Sequence, residues 1–163
     1  MKTLLIVYAS VTGAARQMAE AVAGGAAREP GVRCRLLRAD EAGAQDVLAA
    51  DGYIFVSPER LAALCGQMKW FFDRTYYPAL DRVNGRPYAL MISAGSDGQN
   101  AVRQAIRIAT GWRLKAVAEP LIVCTHAQTP EAILAPKTVG AEDLQRCAET
   151  GQALAAGLAA GIF

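Results

Sequence analysis

Ser10, Thr12 and Gly13 stand together in the stretch ASVTGAAR, where an apolar run that ends at Tyr8 meets a helical pattern that begins at Gly13. Two hydroxyls, a glycine that lets backbone approach a ligand, and the free N–H groups of a first helical turn make a cradle for an anion. The helix dipole adds to the attraction. The GK[ST] of a triphosphate-binding loop is absent, and so is the GxGxxG of a dinucleotide fingerprint. What remains suits a phosphate monoester held by Ser10, Val11, Thr12, Gly13, Ala14 and Ala15. The same stretch also reads as a plain helix start, with Ser10 or Thr12 as the cap. Arg16 lies one turn in, where it either adds charge or faces solvent.

Two further segments have the composition of ligand loops. In Ser57–Gly66 (SPERLAALCG), Pro58 directs the chain out of a strand. The loop is long enough for Pro58, Glu59, Arg60, Leu61 and Ala62 to wrap a flat ligand and offer N–H groups to ring oxygens and nitrogens. Arg60 reads as a contact to such a ring or to a coenzyme phosphate, or as half of a solvated pair with Glu59. The segment Ser93–Asn100 (SAGSDGQN) offers Ser93, Ala94, Gly95 and Gly98, with little bulk and many amides. Ser96 or Asp97 reads there as a helix cap. Neither segment contains an aromatic residue. Cys65 reads as a small apolar filler rather than a redox thiol. His126, the only histidine, reads as a loop residue away from the ligand.

The elements that must position these loops follow from apolar periodicity. Strands are predicted at Thr3–Tyr8, Val32–Leu37, Tyr53–Val56 and Tyr88–Ile92. A fifth lies within Lys115–Cys124, where Pro120 requires a bulge or an edge position. Helices are predicted from Gly13 to about Arg28, Ala42 to Ala50, Cys65 to about Tyr77, Gln99 to Trp112 and Ala141 to Leu158. Residues 126–140, with Pro130, Pro136 and Gly140, read as the longest irregular loop. Strict alternation predicts an α/β fold: a doubly wound five-stranded parallel sheet of order 2-1-3-4-5, with helices on both faces and residues 1–163 as a single domain. Ligands in such sheets bind beyond the carboxyl ends of the strands, where the order reverses, and the three segments lie there. Trp70, Asp73, Arg74 and Tyr77 share a helix face opposite Met68, Phe71 and Phe72. That face reads as an oligomer or substrate surface, or as packed against residues 126–140.

Composition narrows the partners. The chain has 163 residues, 53% hydrophobic and 20% charged, with a net charge of +2. The basic residues are scattered, so no nucleic-acid partner is expected. No apolar stretch reaches membrane-spanning length, and the start is too short in apolar residues for a leader peptide. Cys34, Cys65, Cys124 and Cys147 form no CxxC pair and have no neighbouring His, so no metal site is expected and the thiols are read as reduced, in the cytoplasm. No Ser/His/Asp set has a workable order. The strand ends YAS and VSP lack the acidic residues of a phospho-acceptor domain.

Together the three segments resemble the loops of the flavodoxin-like family that binds flavin mononucleotide (FMN). They are most similar to its multimeric quinone-reductase and FMN-reductase branch, of the tryptophan-repressor-binding-protein type. SxTGxxxxxA, at Ser10, Thr12, Gly13 and Ala19, resembles the phosphate loop. SPERLAALCGQMKWFFDR resembles the branch motif TP-x-R-FG-x-M-x-x-Q-x-x-x-F-x-D at Pro58, Arg60, Leu61, Gln67, Phe71 and Asp73. The resemblance implies FMN as cofactor, NADH or NADPH as cosubstrate, and hydride passed through the flavin to a quinone or free flavin. It implies no catalytic side chain beyond the flavin, and a homo-oligomer, either dimer or tetramer. Ala14 and Ala15 replace the polar residues usual after the glycine, at a cost of about 1 kcal/mol for each lost donor. Leu61-Ala62-Ala63 replaces Phe-Gly-Asn. Electron carriers of this fold usually cover the ring with aromatics and are often strongly acidic. This chain does neither, which points to a two-electron reductase. The alternatives are a flavodoxin-type carrier, or a degenerate member with weak FMN binding.

Overall fold

The apolar runs pair in the expected order. In the computed structural model, which describes residues Met1–Phe163, the strands are β1 (Lys2–Tyr8), β2 (Val32–Arg38), β3 (Gly52–Arg60), β4 (Ala63–Leu64), β5 (Pro87–Ala94), β6 (Lys115–Ala116) and β7 (Leu121–Cys124). The parallel order is β2-β1-β3-β5, with β6 and β7 following one another along the outer edge of β5. Reading β6 and β7 as one interrupted strand, this is the order 2-1-3-4-5. The register passes from Tyr88 opposite Ala116 to Met91 opposite Leu121. The edge strand therefore bulges outward through Pro120, which has no N–H to give the ladder.

The helices are α1 (Ala14–Ala26), α2 (Ala44–Ala49), α3 (Gly66–Ala79), α4 (Gln99–Gly111), α5 (Pro130–Leu134) and α6 (Ala141–Ala159). Alternate strand residues serve opposite layers. Leu4, Ile6, Ile54, Val56 and Met91 pack with Met18 and Val22 of α1 and with Cys147, Leu154 and Leu158 of α6. Leu5, Val7, Tyr53, Phe55 and Ile92 pack with Val47, Met68, Phe71, Phe72, Ala105 and Trp112 on the other face. Burial on both faces is why β1, β3 and β5 read as continuous apolar runs. No helix is long and apolar enough to cross a membrane.

Two expectations change. The third strand does not stop at Val56. It continues through a buried Ser57 and through Pro58, which lies opposite Ser93 in the parallel ladder. Pro58 is thus inside the sheet rather than directing the chain out of it, and β4 folds back on the strand end as a hairpin. Residues 126–140 are also not wholly irregular. Thr129 caps α5 by accepting a hydrogen bond from the Ala132 N–H at 3.2 Å, and Pro130 occupies the first turn, where no N–H is needed. The proline marked a helix start.

The α1–α6 crossing fixes where α1 begins. A Cβ on Gly25 would sit 1.9 Å from the Ala148 carbonyl oxygen, and one on Gly151 would sit 2.2 Å from that of Val22. The two backbones touch, and no side chain fits between them. Gly151→Ala should therefore cost about 2–3 kcal/mol and lower the Tm by roughly 5–10 °C in thermal denaturation. Gly24→Ala, at a helical position with nothing within 4 Å of the added Cβ, should be neutral or mildly stabilising in the same experiment.

Candidate functional site

The first wall of the site is the turn from β1 to α1. Gly13 is the N-cap of α1 at φ 102, in the left-handed region, and no side chain caps the helix. The cap reading of Ser10 and Thr12 is therefore replaced: their hydroxyls make no hydrogen bond in the chain. None of the consecutive amide N–H groups from Ser10 to Arg16 has an acceptor within the chain either. These are the unpaired donors of a helix start, extended backward through the loop. Ala14 and Ala15 are buried in the layer between α1 and the sheet. Their side chains belong to the core, which explains why neither position carries a polar group. Arg16 faces solvent and pairs with Glu20 at 3.0 Å.

The second wall is the β3–β4 hairpin. Arg60 pairs with Ala63 and Glu59 with Leu64, leaving Leu61 and Ala62 as a two-residue turn at φ 50 and φ 58. Both residues lie in the left-handed region, where a non-glycine residue costs about 1–2 kcal/mol. Helix α4 holds the strained turn in place. Asn100 donates from Nδ2 to the Ala62 carbonyl at 2.6 Å, and the Leu64 N–H donates to Gln104 Oε1 at 2.8 Å. Glu59 is not paired with Arg60. Its Oε2 accepts from the Gly98 N–H at 2.7 Å and so caps α4 from a neighbouring strand. Ser96 and Asp97 are accordingly not the cap; Gly98 holds that position with no side-chain hydrogen bond of its own element. The amides of Leu61, Ala62, Gly95, Ser96 and Asp97 have no acceptor in the chain.

Residues 125–139 form a third wall that sequence reasoning missed. The Thr125 N–H and Oγ1 both donate to the Ala94 carbonyl, at 2.8 and 3.2 Å, and the His126 N–H donates to that of Gly95 at 2.8 Å. The chain then crosses to the β1–α1 turn as a strap. The Lys137 N–H donates to the Thr12 carbonyl at 2.8 Å. Gln17 clamps the strap from below. Its Nε2 donates to the carbonyls of Lys137 (2.7 Å) and Gly13 (3.0 Å), and its Oε1 accepts from the Val139 N–H at 3.0 Å.

The three walls enclose a cleft of about 220 Å³ at the carboxyl ends of β1, β3 and β5. Ser10, Val11, Thr12, Ala14 and Ala15 line it from the first turn, Pro58, Glu59 and Arg60 from β3, and Ser93, Ala94 and Gly95 from β5 and its end. Thr125, Ala127, Ile133, Leu134 and Lys137 line it from the strap. No aromatic residue takes part. Four predicted residues lie outside the lining. Gly13 lines a neighbouring cavity with Ser10, Val11 and Arg16, Leu61 and Ala62 form the hairpin tip, with Leu61 fully exposed, and Gly98 is engaged by Glu59. His126 is exposed and outside the lining, although its neighbours Thr125 and Ala127 enter it. The volume is below the roughly 300–1,000 Å³ of sites that enclose a whole ligand, so it suits the narrow anionic end of one.

Other candidates fall away from the cleft. Cys65 is buried and accepts a hydrogen bond from Ser57 Oγ at 3.3 Å, as a filler beneath the hairpin. Burial pushes the Cys147 thiol up to about 11, and no His/Cys/Asp/Glu group is arranged to hold a metal. The face of α3 divides. Asp73 pairs with Lys69 at 2.6 Å, and Arg74 turns back onto the carbonyls of Ala39 and Ala42. Trp70 and Tyr77 stay 61% and 80% exposed. The strap covers the β1–α1 turn, so residues 126–140 do not pack on this face.

Gln17→Ala removes the clamp while leaving every cleft-lining side chain in place. It should cost about 1–2 kcal/mol and accelerate hydrogen exchange at the Lys137 and Val139 amides far more than at core amides of β1, read by exchange mass spectrometry or NMR.

Residues 40–129 match the family described as NADPH-dependent FMN reductase. A flavodoxin from Aquifex aeolicus is 36% identical over 98 residues, covering 60% of this chain and 53% of the relative. An NAD(P)H dehydrogenase (quinone) from Geobacter sulfurreducens is 35% identical, covering 44% of this chain and 47% of the relative. The chain thus spans about half the length of the curated relatives it matches. Among solved structures, a flavodoxin from the domain Archaea superposes with a TM-score of 0.77 at 18% identity, covering 96% of this chain and 98% of that one. A flavodoxin, WrbA-like protein from Agrobacterium tumefaciens superposes at 0.71 with 21% identity and 99% of both chains covered. At these identities the structural matches establish the flavodoxin-like fold.

Proposed function

The chain belongs to the NADPH-dependent FMN reductase family, and on that premise we propose that it is an FMN-dependent NAD(P)H oxidoreductase that reduces a quinone or free flavin. The observation that carries this reading is the unbroken row of unpaired amides from Ser10 to Arg16, set beside two amide-rich loops without aromatic residues. FMN, when bound, supplies hydride transfer between a nicotinamide and an acceptor.

The protein's part is to hold and orient. The hydroxyls of Ser10 and Thr12 and the amides of Thr12 to Ala15 would donate to a phosphate monoester, with the α1 dipole aligned behind them. The amides of Leu61, Ala62 and Gly95 are free for the acceptor atoms of a ring. The Glu59–Gly98 hydrogen bond locks the two ring walls to each other, and Arg60 sets a cation at the mouth, where a coenzyme phosphate would approach. No aromatic side chain covers the cleft, so a nicotinamide and an acceptor would use the same open face in turn. No His or Cys lines it, so no imidazole or thiol of the cleft stands ready to pass a proton to an acceptor. The enzyme works in the cytoplasm as a homo-oligomer, and Trp70 and Tyr77 are the exposed aromatics that a subunit contact would cover; sedimentation velocity reads that state directly.

The test is a titration of the flavin-free protein with FMN, then steady-state NADH and NADPH oxidation with quinone and flavin acceptors. Saturable FMN binding and parallel-line kinetics are expected. Binding without NAD(P)H oxidation by any acceptor would move the protein to the second reading, an electron carrier, which the likeness to the Aquifex flavodoxin favours.

A further inference from the structure

The phosphate cradle has no cation of its own. Ala9–Ala15 contains none, and the nearby Arg16 and Arg38 line a separate cavity on the other side of the turn, each already paired with a carboxylate, Glu20 and Asp40. We infer that Lys137, brought from the far end of the chain by the strap, supplies the positive charge for the ligand's phosphate and makes the site discriminate FMN from unphosphorylated flavin. The inference rests on the FMN reading above.

Several independent contacts place this lysine. Its N–H is bonded to the Thr12 carbonyl at 2.8 Å and its carbonyl to Gln17 Nε2 at 2.7 Å, so its backbone is fixed against the cradle on both sides. Its half-buried side chain lines the same cleft as Ser10, Thr12 and Ala14. The ammonium is steadied by the carbonyls of Ile133 at 2.9 Å and Ala135 at 2.6 Å, at the end of α5. An ammonium has three donors, and one remains for a ligand. No ion pair of the structure involves Lys137. The one carboxylate lining the cleft, Glu59, is committed to the Gly98 N–H. The charge is therefore free of an internal partner, and a phosphate dianion is the group that a lysine point charge in this position recognises.

The experiment titrates flavin-free protein with FMN and with riboflavin, by quenching of the flavin's own fluorescence, at low and high salt. It compares wild type with Lys137→Met and Lys137→Arg. Lys137→Met keeps the backbone bonds and most of the stem, and should raise the Kd for FMN about tenfold or more. It should leave the Kd for riboflavin within about twofold and flatten the salt dependence of FMN binding. Lys137→Arg should recover most of the lost FMN affinity. Equal weakening of FMN and riboflavin by Lys137→Met would overturn the inference in favour of a purely structural strap. Unchanged binding of both flavins to that variant would overturn it as well. A wild-type protein that binds riboflavin as tightly as FMN would do the same. A wild-type protein that binds neither flavin overturns the FMN reading itself, and the inference with it.

Discussion

Consecutive backbone N–H groups from Ser10 to Arg16 have no acceptor in the chain, and such groups must meet water or an anion. The surrounding architecture keeps them in that state. Gly13 takes a conformation that turns the chain sharply into α1. Ala14 and Ala15 are small enough to be buried in the sheet layer, so α1 lies close and its first turn opens at the carboxyl end of β1. The backbone contact of α1 with α6 at Gly25 and Gly151 then fixes the helix along its axis. Each of these features is a small residue whose side chain would otherwise fill or shift the cradle.

A second constraint joins the loops to each other. Hydrogen bonds run from the Gly98 N–H to Glu59, from Asn100 Nδ2 to the Ala62 carbonyl and from the Leu64 N–H to Gln104, so the hairpin is tied to the start of α4 at three points. The tied hairpin tolerates Leu61 and Ala62 in left-handed conformations, where asparagine and glycine would be easier. The strain is local, and the helix that opposes it is packed on the sheet through Ala101 and Ala105.

Much of the fold was readable in the sequence. β1, β3 and β5 announce themselves because burial on both faces demands continuous apolar runs, and Pro120 correctly signalled a bulged edge. The first and third loops were placed by the general rule for parallel sheets. The misreadings share a cause: a residue type was assigned its local meaning where tertiary context gave another. Pro58 is tolerated inside β3 at its carboxyl end, beyond Val56, the last residue of the strand paired with β1. Asp97 is not the cap, because Glu59 reaches Gly98 from another strand. The strap was out of reach of sequence reading, because Gln17, Thr12 and Lys137 are joined only by hydrogen bonds formed after folding. Pro130 preceded by Thr129 was the one local sign that residues 126–140 held structure.

The Gln17–Lys137 bond closes a separation of 120 residues. Among the contacts of the cleft it is one of the longest-range, and a contact of that span forms only after the chain entropy of closing the intervening loop has been overcome. The strands β1 to β5 and the helices between them can therefore assemble while the cleft still lacks its third wall, and α6, which follows the strap in the chain, docks on α1 over a comparable span. On a growing polypeptide, α1 and the β1–α1 turn emerge long before their strap does. The pocket gains its third wall only when residues 137–139 arrive, so its completion is set by the distal quarter of the chain rather than by the loop that opens it.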